Sequence, residues 1–129
     1  MERRPICVVE DGLPIRRLME VLLTKAGYKV VAFEQGREAI EWLQHNRPLA
    51  VLSDLILPDV NGVEVLRAVR VQPGGGEIPV IAVTGLAQES DQQYYLQQGF
   101  DAYIVKPLST ATFAHEVRRA IERKQALLA

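Results

Sequence analysis

The sequence predicts an α/β protein, a doubly wound parallel sheet of five strands in (βα)5 order. Two observations carry that reading. Five short apolar runs, rich in β-branched residues and hardly alternating, suit parallel strands covered on both faces. Between them lie segments with helical spacing, most with a recognisable terminator. The first strand is "ICVV", residues 6–9, and the first helix carries Ile15, Leu18, Leu22 and Ala26 before a stop at Gly27. Next come "VVAF" at 30–33 and a helix through Ala39, Ile40 and Leu43, ended by Arg47-Pro48. The third strand is "LAVLSD" at 49–54, and its helix, through Val63, Leu66 and Val69, runs out into "QPGGGEIP". "IPVIAVT" at 78–84 precedes a fourth helix, "AQESDQQYYLQQ" at 87–98, whose only apolar groups are Ala87, Tyr94, Tyr95 and Leu96 among five glutamines. That helix should be the least firmly packed. "AYIVK" at 102–106 and a helix through Phe113, Val117, Ala120 and Ile121, capped by Ser109 or Thr110, complete the order.

The 129 residues fit one domain, 1–129 with a core of about 5–125, and 48% hydrophobic content suffices for a core at that size. Fifteen basic and sixteen acidic side chains, mixed along the chain, give a formal charge of -1. Bulk charge therefore argues against a nucleic-acid or membrane surface. Cys7, the single cysteine, lies in an apolar run and reads as a small buried hydrophobe; Trp42 and Met19 also read as packing residues, and His45 and His115 as ordinary solvated or partly packed side chains. The apolar run near the start is too short for a signal peptide or a membrane span, so a soluble cytoplasmic protein is expected.

Right-handed crossovers wind this order into a sheet whose ligand site lies beyond the carboxyl ends of the strands, where strand order reverses. Glu10 and Asp11 follow strand 1, Asp54 ends strand 3, Thr84 ends strand 4 and Lys106-Pro107 ends strand 5. Asp54 poses the sharpest question, because an ionised carboxylate at the end of a buried strand costs several kcal/mol unless it is paired. Three carboxylates at one edge repel each other unless a divalent cation neutralises them. Hard oxygen ligands at a wet edge favour Mg2+, with Mn2+ as a substitute. A phosphoryl group on Asp54 would then use the metal, the lysine and the hydroxyl together.

"VVEDGLPIRRLMEVLLTKAGYKV", "SDLILPDVNGVEVLR", "PVIAVTGLA" and "GFDAYIVKPL", in this order, resemble the receiver domain of two-component response regulators, a flavodoxin-like fold. The resemblance implies that Asp54 is the phosphoacceptor and that Glu10, Asp11, Asp54 and the backbone carbonyl of Ile56 hold Mg2+. It implies that Lys106 contacts the phosphoryl group, that Thr84 is the switch hydroxyl and Tyr103 the switch aromatic, and that the bond before Pro107 is cis. It further implies a signalling domain rather than an enzyme, with at most self-phosphotransfer and autodephosphorylation. The phosphodonor would be a histidine kinase or histidine phosphotransfer protein, meeting the first helix around Ile15 and Met19. A downstream partner, or a second copy in a homodimer, would use the face of helix 4, strand 5 and helix 5, with Arg118, Arg119, Arg123 and Lys124. Departures are modest: Glu10 stands where Asp is frequent, Gly12 where a polar residue is, and Gly85 where alanine is.

Other classes fit less well. A flavin binder would need a Gly/Ser/Thr-rich phosphate loop, which "EDGLPIRR" is not. A phosphatase with a nucleophilic aspartate would need an acid two residues after Asp54, where Ile56 stands. A receiver-like interaction module that works without phosphorylation is the remaining alternative.

Overall fold

The computed structural model describes residues 3–129, so the first two residues of the expected 1–129 unit lie outside the described residues. Its elements are β1 (Ile6–Val9), α1 (Leu13–Lys25), β2 (Val30–Phe33), α2 (Gly36–Leu43), β3 (Ala50–Ser53), α3 (Gly62–Arg70), β4 (Val80–Thr84), α4 (Glu89–Gln98), β5 (Ala102–Val105) and α5 (Phe113–Leu128). The strands form one parallel sheet in the order β2-β1-β3-β4-β5. Chain order reverses between β1 and β3, which puts the ends of those two strands side by side at the switch point.

The continuous apolar runs follow from two packed faces. Ile6 and Val8 of β1 join Met19 and Leu23 of α1 and Phe113, Val117 and Ile121 of α5. Their neighbours Cys7 and Val9 point the other way, to Ala39 and Leu43 of α2 and Val65, Leu66 and Val69 of α3. Each such side chain taken fully from water contributes roughly 1.5–3 kcal/mol. Only the central strands β1, β3 and β4 are buried throughout; β2 and most of β5, at the edges, are half-buried.

Three details correct the sequence reading. The cap of α5 is not a side chain: the carbonyl of Ser109 accepts the N–H of Phe113 at 2.9 Å, and the N-cap position is Thr112, without a side-chain cap. The loop after α3 contains a short 3₁₀ turn, Gly75–Glu77, and its first position needs glycine, because a Cβ there would meet the carbonyl oxygen of Val69 at 1.9 Å. Met19 is 1% exposed and belongs to the core, as its reading as a packing residue expected, so it does not join Ile15 on a partner-facing side of α1; Leu13 and Val21 are exposed apolar residues of that helix. The thin packing expected of the fourth helix holds, since α4 buries none of its residues.

Candidate functional site

The sheet's carboxyl edge gathers the acids through backbone constraints. Asp54 follows β3 with its N–H on the carbonyl of Val9, so it stands beside the end of β1. Its Oδ1 accepts the N–H of Leu55 at 2.7 Å and of Ile56 at 3.3 Å. Its Oδ2 accepts Lys106 Nζ at 2.7 Å, and the residue is 8% exposed. Lys106 follows β5 and its N–H binds the carbonyl of Thr84, so β4 aligns the lysine with the acids. The Lys106–Pro107 bond is cis.

Glu10 is 2% exposed. Its Oε2 accepts the N–H of Gly12 at 2.9 Å, and a Cβ at Gly12 would lie 3.1 Å from that oxygen. Glycine after the acid pair therefore gives the longer glutamate room to fold back on the chain. Oε1 lies 2.5 Å from Lys106 Nζ as an ion pair, outside aligned hydrogen-bond geometry, and is a buried oxygen with no hydrogen-bond partner. Burial alone would lower the Lys106 pKa, but the carboxylates of Asp54 and Glu10 outweigh it and raise the ammonium above its usual value. Sequence reasoning missed Arg16, which donates to the carbonyls of Glu10 at 2.9 Å and Asp11 at 3.3 Å and so pins the turn that carries both acids. An arginine within the first two turns of the helix after an acid pair was the available signal.

One carboxylate oxygen from each of Glu10, Asp11 and Asp54 falls within 4.8 Å of the others, with Asp11 exposed and the other two buried. Three carboxylates against one ammonium leave two formal negative charges, although that ammonium pairs with both Glu10 and Asp54. The donor set, all hard oxygen and open on one side, fits a divalent cation such as Mg2+.

Thr84 and Tyr103 meet at one residue. Thr84, 1% exposed, accepts the N–H of Leu86 at 3.4 Å through Oγ1, and the Tyr103 hydroxyl donates to the carbonyl of Leu86 at 2.7 Å. Burial, then the charges of Asp91, Tyr95 and Asp54, raise the Tyr103 pKa. Gly85 between them has open space where a Cβ would go. The Ile56 side chain is 64% exposed at the rim. The expected basic face divides: Arg118 turns to Tyr28 and the carbonyl of Ala26, Lys124 pairs with Asp101 at 2.8 Å, and Arg119 and Arg123 line a groove of about 330 Å³ with Leu96 and Tyr103. Arg118 is thereby removed from that face, because its partners lie in the turn between α1 and β2.

The family model of the response regulator receiver domain matches residues 6–118. The chain belongs to this family. The receiver sequence is 33% identical over 115 residues to the polar-differentiation response regulator DivK of Brucella anthropi, covering 89% of this chain and 94% of DivK. It is 32% identical to a probable transcriptional regulator, ycf27, of Porphyridium aerugineum, covering 95% of this chain; the chain spans 50% of that relative's length. Among solved structures, this receiver resembles the receiver domain of the sensor histidine kinase PA1611 from Pseudomonas aeruginosa PAO1, solved with a magnesium ion coordinated in the active site cleft. The TM-score is 0.83 and the identity 30%, over 94% of this chain and 99% of that one. The chemotaxis response regulator CheY4 of Vibrio cholerae gives a TM-score of 0.85 at 28% identity, over 92% and 99% of the two chains. A receiver domain of this family is a signalling domain, in keeping with two-component signalling.

Proposed function

We propose that this receiver domain is a phosphorylation-dependent switch, in which Asp54 takes a phosphoryl group from a phosphohistidine of a histidine kinase or histidine phosphotransfer protein in a Mg2+-dependent reaction. The observation that carries this reading is the convergence of Glu10, Asp11 and Asp54 within 4.8 Å around a carboxylate bound to Lys106 at 2.7 Å. Two N–H donors fix Oδ1 of Asp54, which leaves Oδ2 to attack phosphorus. The new O–P bond forms as the P–N bond breaks, and its electron pair stays on the imidazole nitrogen. Glu10, Asp11, Asp54 and the carbonyl of Ile56 would hold Mg2+, or Mn2+ in its place, which when bound would neutralise charge on the phosphoryl oxygens. Lys106 then follows the charge from the carboxylate to a phosphoryl oxygen. Attack of water on the same phosphorus returns the free aspartate, so the domain catalyses only its own phosphotransfer and autodephosphorylation.

Thr84 and Tyr103 form the switch. Turning its hydroxyl to the phosphoryl group takes Thr84 off the N–H of Leu86, whose carbonyl is the anchor of Tyr103. Both movements act on the segment leading into α4, the thinly packed helix. Taking such a pair of states from 1:99 to 99:1 needs roughly 5.5 kcal/mol, within reach of a few charge-assisted hydrogen bonds. A downstream partner, or a second copy, would read the face of α4, β5 and α5 around Tyr103, Arg119 and Arg123. We read residues 1–129 as one unit acting in the cytoplasm, without nucleic-acid contact of its own. Among the described residues no helix is long and apolar enough to cross a membrane.

The test is intact-mass spectrometry after incubation with acetyl phosphate, with and without Mg2+, on wild type and Asp54→Ala. The expected result is a gain of one phosphoryl group that needs the metal and is lost in the variant. No gain under any condition would favour the phosphorylation-independent interaction module instead.

A further inference from the structure

The loop that leaves Asp54 is fastened to a helix that has no part in the acid cluster. Asp59 Oδ1 accepts the N–H of Gly36 at 3.0 Å and its Oδ2 accepts the N–H of Arg37 at 2.9 Å. These are the first two residues of α2, more than twenty positions away in sequence, and the local N-cap, Gln35, makes no side-chain cap of its own. Asp59 therefore caps α2 from another loop, with a full negative charge at the positive end of the helix. Burial opposes its ionisation, but N–H donors from Arg37, Gly36 and its own loop outweigh it and lower the carboxyl pKa.

Packing reinforces the clasp. Gly36 is buried, and a Cβ there would lie 2.2 Å from Val60 Cγ2 and 3.2 Å from Leu57 Cδ1, so the loop seats against bare backbone. The loop is closed at its far side by the bridge between Ile56 and Asn61 and by the Gly62 N–H on the carbonyl of Leu55 at 2.9 Å. The segment bearing the Ile56 carbonyl thus hangs between the β3 end and α2.

The geometry points to Asp59 as a positioning residue of the metal site, which holds the Ile56 arm in place through the N-terminus of α2. This rests on the reading that Ile56 and the three acids bind Mg2+. By linkage, what the clasp gives the metal the metal returns to the clasp, so cation binding slows exchange of the Gly36 and Arg37 amides.

The experiment measures Mn2+ affinity by electron paramagnetic resonance of the unbound ion, in wild type, Asp59→Ala, Asp59→Asn and Gly36→Ala. Circular dichroism at the same temperature selects variants that remain folded. Asp59→Ala should weaken binding about ten-fold or more, as removal of an outer partner does in other metal sites. Asp59→Asn, which keeps an acceptor oxygen but not the charge, should recover part of the loss. Gly36→Ala should weaken binding in the same direction, although alanine is the better helix former. The Mg2+ concentration for half-maximal phosphorylation should rise by the same factor in each. Wild-type affinity in folded Asp59→Ala and Gly36→Ala, with Asp54 phosphorylated normally, would overturn the inference and leave the switch intact. Equal losses in Asp59→Ala and Asp59→Asn that vanish at high salt, with no effect of Gly36→Ala, would also overturn it, by reducing Asp59 to a distant charge. Failure of the wild-type protein to bind metal would remove the functional reading itself.

Discussion

Cys7 shows how completely a residue's chemistry is set by its place. It is fully buried in β1 against the second face of the sheet, and that burial pushes its thiol pKa from 9.0 up to about 12. Between these values the unfolded chain gives up the thiol proton while the native chain keeps it. The native state then binds more protons, so this contribution is whole below about pH 8.5 and is lost as pH rises toward 12. Denaturant melts of wild type and Cys7→Ala should diverge in that window, with wild type losing more stability per pH step. Native protein should also resist iodoacetamide at pH 8 and react once unfolded; rapid alkylation of the native form would contradict the burial. The residue's apolar neighbours made this readable in the sequence. Glu10 was not readable in the same way, because only the folded chain shows one of its oxygens on Gly12 and the other against Lys106.

At the scale of an element, α4 differs from the other four helices. It buries nothing, and leaves Tyr94 54% and Leu96 41% exposed. Its anchors are Tyr95, edge-on to Phe100 at 6.2 Å, and the preceding segment that Tyr103 latches through Leu86. Few buried contacts mean a low cost of local opening. Hydrogen exchange followed by mass spectrometry should find residues 89–98 exchanging ahead of α1, α3 and α5, and Tyr103→Phe should speed them further. Exchange of α4 as slow as that of α3, which has a capping box at Asn61 and Glu64 and four buried residues, would show that the helix is held by something other than these anchors. Five glutamines announced this weakness in the sequence, whereas the Tyr103–Leu86 latch, seventeen positions apart, had no local trace.

Across the whole molecule, the edge opposite the acids is tied by Asp101. Its Oδ2 accepts Arg70 Nη2 at 2.9 Å and the N–H of Val80 at 2.8 Å, and its Oδ1 accepts Lys124 Nζ at 2.8 Å. Arg70 also donates to the carbonyls of Gly75, Ile78 and Gly99. One partly buried carboxylate thereby joins α3, β4, the start of β5 and α5 at the amino ends of the strands, leaving the carboxyl ends as the part that can change. Asp101→Ala strands Lys124 and the Val80 amide and removes the one carboxylate on Arg70, so urea unfolding should show a loss of about 3 kcal/mol. A loss below about 1 kcal/mol would mean that solvent replaces these bonds and that the hub is ornamental. Phosphorylation of Asp54 should still occur in this variant, since the network touches none of the acid cluster.

By itself the sequence determined the element order, the two-sided core and the identity of the acids, the lysine and the hydroxyl at one sheet edge. It could do so because burial on both faces writes continuous apolar runs, and because charged groups at the ends of such runs stand out against them. Tertiary structure alone decided which oxygen of Glu10 meets Lys106, that Arg16 pins the acid pair, that Asp59 caps α2 and that Arg118 leaves the α4–β5–α5 face. Each depends on the direction of a side chain or on contact between residues far apart in sequence. Those are fixed by how helices lie on the sheet, and local composition carries no record of them.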